Sequence, residues 1–187
     1  MDEEAGNSAV QPFRDLSEPA IDFTGYVPCP AACSVLRDKP PKGMQWYWKA
    51  HYVKEISDTA VDLHLRNAEK LPTPHSTMHM YPVNGAAHTV KSDDTAFSYR
   101  DANWAQVIVG VDPDPANKDK ITTWSKQYWE DLKDHSLPGA YVNFMMDDEG
   151  QKRIEDSYRS NYSRLAKIKE KYDPENFFRV NQNIAPR

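Results

Sequence analysis

Prolines punctuate this chain and confine its regular structure to the segments between them. There are 14 prolines among 187 residues. A proline has a fixed φ and no amide hydrogen, so helix interiors and central strands reject it. Pro28, Pro30, Pro40 and Pro41 mark residues 25–43 as loop. Pro72 and Pro74 stop one helix, and Asp112-Pro-Asp-Pro115 closes an apolar run. Leu137-Pro-Gly139 breaks a second helix, and Asp173-Pro174 opens a new turn with Asp as cap and Pro at the first helical position.

The segments left between these stops carry two kinds of periodicity. Gln45 to Val53 is aromatic-rich and reads as a strand, with Trp46, Trp48 and Tyr52 on one face. Ser57-Asp58 caps a helix whose stripe is Val61, Leu65, Ala68 and Leu71. His75 to Val83 alternates as a strand, Asn84-Gly85 reads as a hairpin turn, and Ala86 to Lys91 as the return strand. Trp104 to Val111 is a third β-branched run. Asn117 to His135 is an amphipathic helix with Ile121, Trp124, Tyr128 and Leu132 inward, and Ala140 to Met145 a final strand. One long helix is expected from Gln151 to Lys171, with Ile154, Tyr158, Tyr162, Leu165, Ile168 and Tyr172 as its stripe. Near the N-terminus a frayed lead-in holds one short helix, Ala9 to Leu16. Strands and helices mix without a βαβ beat and without internal repeats. The expected class is α+β, an antiparallel sheet covered by helices.

Composition narrows the function. The 28 acidic and 23 basic residues interleave to a net charge of −5, which is a soluble surface and not a nucleic-acid footprint. No apolar run has the length of a membrane span, and Met1-Asp-Glu-Glu is too acidic for a secretory signal, so a cytoplasmic protein is expected. Cys29 and Cys33 read as free thiols, with a disulfide the alternative. No metal site is expected. His75 and His79 share a face without a third ligand, and Asp147-Asp-Glu-Gly150 reads as a solvated turn. Neither G-x-G-x-x-G nor G-x-x-x-x-G-K occurs, so the chain has no phosphate cradle of its own.

Three groups of residues carry potential chemistry. Tyr141 and Asn143 share a face of the last strand, either lining a pocket or facing water. His79 and Tyr81 share a face of an earlier strand and suit proton transfer, or are simply half-buried sheet residues. The C-terminus gathers Tyr162, then Asn181, Gln182 and Asn183. A free tail has no need of three consecutive carboxamides.

Tyr162-Ser-Arg164-Leu165, Asp173-Pro-Glu-Asn-Phe-Phe178 and Asn181-Gln-Asn-Ile184, with Gly139-Ala-Tyr-Val-Asn-Phe144 upstream, resemble the C-terminus of the berberine bridge enzyme-like FAD-linked oxidases of the vanillyl-alcohol oxidase superfamily. The resemblance implies 1–24 as lead-in, 25–150 as part of a substrate-binding domain, and 151–187 as a C-terminal segment returning to an FAD domain absent from this chain. It implies FAD as cofactor, with Tyr141, Asn143, Tyr162, Asn181 and Asn183 touching the flavin region and Phe177 and Phe178 anchoring the turn. Two family acid/base positions are changed. Phe144 stands where plant members carry a Tyr base, and Gln106 stands where some carry a catalytic Glu. Tyr99 occupies a usual His position. His79, Tyr81 and Gln106 are therefore the expected catalytic residues, with Gln106 orienting a substrate hydroxyl. The implied function is one portion of an FAD-dependent oxidoreductase that takes hydride from an alcohol, sugar or related molecule, inactive alone. The implied partners are an FAD-binding domain in cis or trans and a small-molecule substrate. The alternative is a non-catalytic module that pairs with a separate FAD domain or with itself as a homodimer.

Overall fold

The structure, a computed structural model, describes residues 2–34 and 42–186. The chain divides into two compact units, residues 1–42 and 43–187. The first contains α1 (Glu3–Arg14) and α2 (Cys29–Ser34). α1 begins six residues before the expected Ala9, because the Asp2 carboxylate accepts the Ala5 amide at 2.8 Å and Glu3 and Glu4 face the positive helix end. α2 lies inside the expected loop. Pro30 sits in its first turn, where a missing amide hydrogen costs nothing. Pro40 and Pro41 lie outside the described residues.

The second unit is built on one three-stranded antiparallel sheet. β1 (Gln45–Val53) and β2 (Thr77–Pro82) flank the central β3 (Trp104–Asp112). The registers pair Ala50 with Val107 and His79 with Val107, so one β3 residue aligns all three strands. β3 is buried at every position from Ala105 to Asp112, as a central strand must be. α3 (Asp58–Ala68) and α5 (Lys118–Asp131) cover one face around Ile108, Trp124, Tyr128 and Leu132. The other face packs Val107, Val109 and Val111 against Ala140, Met145 and Ile154 of the C-terminal segment. The α+β class with a helix-covered antiparallel sheet is the observed one.

Several local expectations yield to tertiary contacts. α3 has its expected cap, with the Ala60 amide on Ser57 Oγ at 3.2 Å, but its buried residues are Ala60 and Asn67. Val61 and Leu65 are 44% and 59% exposed. Asn67 fixes this phase by donating to Asp131 at 3.0 Å while its carbonyl accepts Trp124 Nε1 at 3.1 Å. The Asn84-Gly85 hairpin does not form. Gly85, at φ 57°, opens the short α4 (Ala86–Thr89), and β2 pairs with β3 instead. His88 anchors α4 through Nε2 to the Ala102 carbonyl at 2.8 Å.

The segment 140–145 is no strand. It is a 3₁₀ turn over Val142–Phe144, because the preceding residues are already spent on β1: the Leu137 amide bonds the Tyr52 carbonyl at 2.8 Å and the Tyr52 amide bonds the Gly139 carbonyl at 3.1 Å. Gly139 is required there, since an added Cβ would stand 2.4 Å from the Tyr99 hydroxyl. The long C-terminal helix is two, α6 (Gln151–Tyr158) and α7 (Asn161–Tyr172). Arg159 breaks them at φ 51°, held over the Tyr99 ring at 3.7 Å and on Asp101 at 2.6 Å. Asp173 opens a single turn, its carbonyl accepting the Asn176 amide at 3.0 Å, that does not continue into a helix. Its carboxylate instead accepts the Phe177 and Phe178 amides at 2.7 and 3.0 Å, which reverses the chain.

Candidate functional site

Strand alternation decides which candidates meet. His79 opposes Val107 and Tyr81 opposes Ala105, so both project from the face that the C-terminal segment lines. Their rings stack at 5.9 Å and 11°, with Tyr81 Oη 3.3 Å from His79 Nδ1. Tyr81 leans on Phe144 at 5.5 Å, and Phe144 meets the Tyr141 ring edge-on at 5.1 Å. Asn143 Nδ2 donates to Tyr141 Oη at 2.7 Å. Four expected site residues therefore converge on Phe144. The route differs from the expected one, since Tyr141 and Asn143 meet across a 3₁₀ turn and not along a strand. Tyr81 and Tyr141 stay 44% and 37% exposed, which leaves two phenols open on one wall.

An open groove of about 540 Å³ adjoins this wall, lined by Trp48, Val142, Asn143, Met146, Asn181 and Gln182 among others. The tail reaches it because Asp173 turns the chain and Lys169 holds the turn, bonding Asp173 and the Phe178 carbonyl. Gln182 then fastens it, donating to the Met145 carbonyl at 3.1 Å. Asn181, at φ 61°, lines the groove. The Asn183 amide bonds the Asn181 carbonyl at 3.0 Å and its side chain is not part of the lining. Tyr162 also stands apart. It packs on the core with its hydroxyl accepting from Gln151 at 2.7 Å. Phe177 and Phe178 stack edge-to-face with each other and remain exposed.

Gln106 does not join His79 and Tyr81. It opposes His51 and Met80, pointing to the face under α5, and is 1% exposed. A residue of even number on β3 cannot share a face with partners of 105 and 107. Both atoms of its amide lack a hydrogen-bond partner. Its neighbour His51 is stacked on Trp129 at 5.0 Å, with Nε2 bonded to the Trp129 carbonyl at 3.0 Å. Burial lowers the His51 imidazole to about 3, so it is neutral. Tyr99 is also internal, donating to the Asp156 carbonyl at 2.8 Å and stacking on Tyr52 at 4.3 Å.

Two residues named in the sequence take roles that the sequence did not assign them. Phe144 is the hub of the aromatic wall, although it has no proton to exchange. Gln182, placed between the two named asparagines, is the residue that pins the tail. The signal for it was the motif itself, since in an extended tail Gln182 faces opposite to Asn181 and Asn183. Among the described residues no helix is long and apolar enough to cross a membrane, and no group of three or more metal-ligating side chains assembles.

The sequence model of the family "Berberine and berberine like" matches residues 140–185, the stretch from the aromatic turn to the pinned tail. An FAD-linked oxidoreductase of Dictyostelium discoideum is 23% identical over 186 residues, 98% of this chain and 40% of its own length. The uncharacterized FAD-linked oxidoreductase YgaK of Bacillus subtilis is 33% identical over 133 residues, 71% of this chain and 29% of its own length. The crystal structure of a glycopeptide hexose oxidase complexed with teicoplanin superposes with a TM-score of 0.69 at 23% identity, over 77% of this chain and 33% of that one, which is a likeness of fold. This chain spans at most 40% of the length of these proteins. Its likeness is to the berberine bridge enzyme-like FAD-linked oxidoreductases, over part of their length.

Proposed function

We propose that this chain forms the substrate wall and the returning C-terminal segment of an FAD-linked oxidoreductase acting on an alcohol, sugar or related small molecule. The observation that carries the reading is the convergence of His79, Tyr81, Tyr141 and Asn143 on Phe144, beside a groove lined by tail carboxamides. The groove suits the ring end of a flavin and not its diphosphate. It offers carboxamides, thioethers and aromatic faces, and among the described residues that line it Asp147 is the only charged one, with no Lys or Arg. Asn143 and Asn181 would hold the ring edge, and a second domain, in cis or trans, would hold the phosphates. When bound, the flavin supplies a hydride acceptor.

The chain's own residues would position substrate and move one proton. Tyr141 and Asn143 orient the substrate hydroxyl through hydrogen bonds. That hydroxyl gives its proton to Tyr81 Oη as Tyr81 passes its own to His79 Nδ1, leaving an imidazolium. Phe144 and Tyr81 exclude water from the reacting carbon. Because the diphosphate is held elsewhere, the chain alone should retain FAD poorly and turn nothing over. Incubating it with FAD and passing it through a desalting column checks this, and a colourless protein fraction is expected. A stoichiometrically yellow protein that oxidises alcohols would overturn the division of labour.

A further inference from the structure

The turn that carries Tyr141, Asn143 and Phe144 has little with which to hold its own shape. Two backbone bonds close it, the Phe144 amide on the Tyr141 carbonyl at 2.8 Å and the Met145 amide on the Val142 carbonyl at 3.3 Å. A 3₁₀ stretch of three residues is weak by itself, so its direction must be imposed from its ends. Both ends are buried, Ala140 at 1% exposure and Met145 at 5%. One side-chain oxygen meets both of them. Ser157 Oγ accepts the Ala140 amide at 3.1 Å and lies 3.3 Å from Met145 Sδ. Its own proton goes to the Arg153 carbonyl at 2.8 Å, a better acceptor than a thioether, one helical turn back along α6. That bond fixes the Ser157 side chain and leaves a lone pair for Ala140. Arg153 ties the same turn of α6 to the sheet, with Nη2 on the Ala50 carbonyl of β1 at 2.6 Å and Nη1 on the Pro138 carbonyl.

We propose that Ser157 is a positioning residue for the candidate site, setting where Tyr141 and Asn143 stand on the groove wall. It is not part of the groove lining and acts through the backbone on either side of them. An alkyl side chain at this position would fill the same space against Ala140, Met145 and Ile154, but would leave the Ala140 N–H without its acceptor. The turn would then rotate toward another partner. It would carry Tyr141 Oη and Asn143 Nδ2 out of the arrangement in which they bond at 2.7 Å. Met145 also links this anchor to the tail, because its carbonyl accepts Gln182 while its sulfur rests on Ser157. Every contact lies within the second unit, and the geometry depends on no residue beyond this chain. The consequence for binding rests on the reading of the groove as the seat of a flavin ring.

Solution NMR of the 187-residue chain, with a titration of lumiflavin (a flavin ring without ribityl chain or phosphate), tests it. In the unaltered chain the Ala140 amide should be protected from exchange, and the two Asn143 side-chain amide protons should resonate apart from those of free carboxamides. Ser157→Ala should speed Ala140 exchange about tenfold or more, move the Asn143 pair toward free-carboxamide positions and weaken lumiflavin binding roughly fivefold. Ser157→Thr keeps the oxygen and should restore all three. Ser98→Ala deletes another buried hydroxyl, one that donates to the Ser157 carbonyl at 3.4 Å. It should lower stability without moving the Asn143 pair or the lumiflavin affinity. Should the alanine variant fail to fold, Ser157→Cys makes the same test, because a thiol keeps the volume and accepts weakly. A freely exchanging Ala140 amide in the unaltered chain overturns the proposal. So does a Ser157→Ala variant that keeps either its Asn143 resonances or its lumiflavin affinity, and so does an equal loss in Ser98→Ala, which would make the role purely structural. If the unaltered chain takes up no lumiflavin, the flavin reading fails, while the Ala140 and Asn143 signals still decide whether Ser157 sets the turn.

Discussion

The sheet's two faces are written by the same three strands in alternation, yet they hold polar residues on opposite terms. Under α5, His51 and Gln106 are both 1% exposed, and three of their polar atoms have no hydrogen-bond partner. On the other face, His79 and Tyr81 stand over the small Ala105 and Val107 and stay open, with every polar atom within reach of water or of one another. The difference teaches that buried polarity in this fold is a cost of packing, while the exposed aromatic cluster is where chemistry has room. The largest effect expected from this contrast is acid sensitivity of the buried face. His51 is held neutral, its pKa lowered to about 3 by burial. Unfolded, it would titrate near 6.5. Its contribution to stability is whole above about pH 6.5 and drains as the pH falls toward 3, because the unfolded chain binds the proton first. The slope should approach about 1.4 kcal/mol per pH unit within that window. Urea unfolding at stepped pH should show His51→Gln flattening the decline. An unchanged slope in His51→Gln would break the contrast.

A smaller effect is expected at Gln106, where sequence and structure part company. Much of the fold was legible. All three observed strands, the Ser57 cap and the inward stripe of α5 follow from period, cap chemistry and β-branching. What was not legible depends on partners far along the chain. The phase of α3 is set by Asn67 reaching Asp131, and the break at Arg159 by Tyr99 and Asp101. The segment 140–145 was read as a strand because its Tyr-Val-Asn-Phe alternates, but Tyr52 takes the carbonyl of Gly139 first. Gln106 failed for a related reason. A strand's own sequence gives its two faces but not which of them a neighbouring strand's residues share. That is fixed by register, which lies in the pairing of His79 with Val107. Gln106→Met keeps the volume and removes the two unpartnered amide atoms, so it should stabilise the fold by about 1 kcal/mol. It should leave the turnover of an assembled enzyme unchanged. A loss of more than about 2 kcal/mol, or of activity, would return Gln106 to the site.

The smallest change in stability with the sharpest functional consequence belongs to Tyr81. Its ring packs between His79 and Phe144, and its hydroxyl touches only His79, at 3.3 Å, on an exposed edge. Tyr81→Phe keeps every ring contact, so urea unfolding should move by less than about 0.5 kcal/mol. The variant nevertheless removes the oxygen that, in the proposed relay, links a substrate hydroxyl to His79. If the chain assembles with an FAD-binding domain as proposed, kcat/KM of the assembly should fall by about two orders of magnitude, the ordinary worth of a positioned proton acceptor. The two readouts separate the roles that the geometry leaves entangled. A merely structural Tyr81 would lose neither stability nor rate in the phenylalanine form, since packing is preserved. A residue that moves the proton must lose rate alone, and His79→Gln should then add little to the loss, because two members of one relay fail as a unit. If the double variant is instead worse by the full product of the single effects, His79 and Tyr81 act separately, and the open face holds two independent groups in place of a pair.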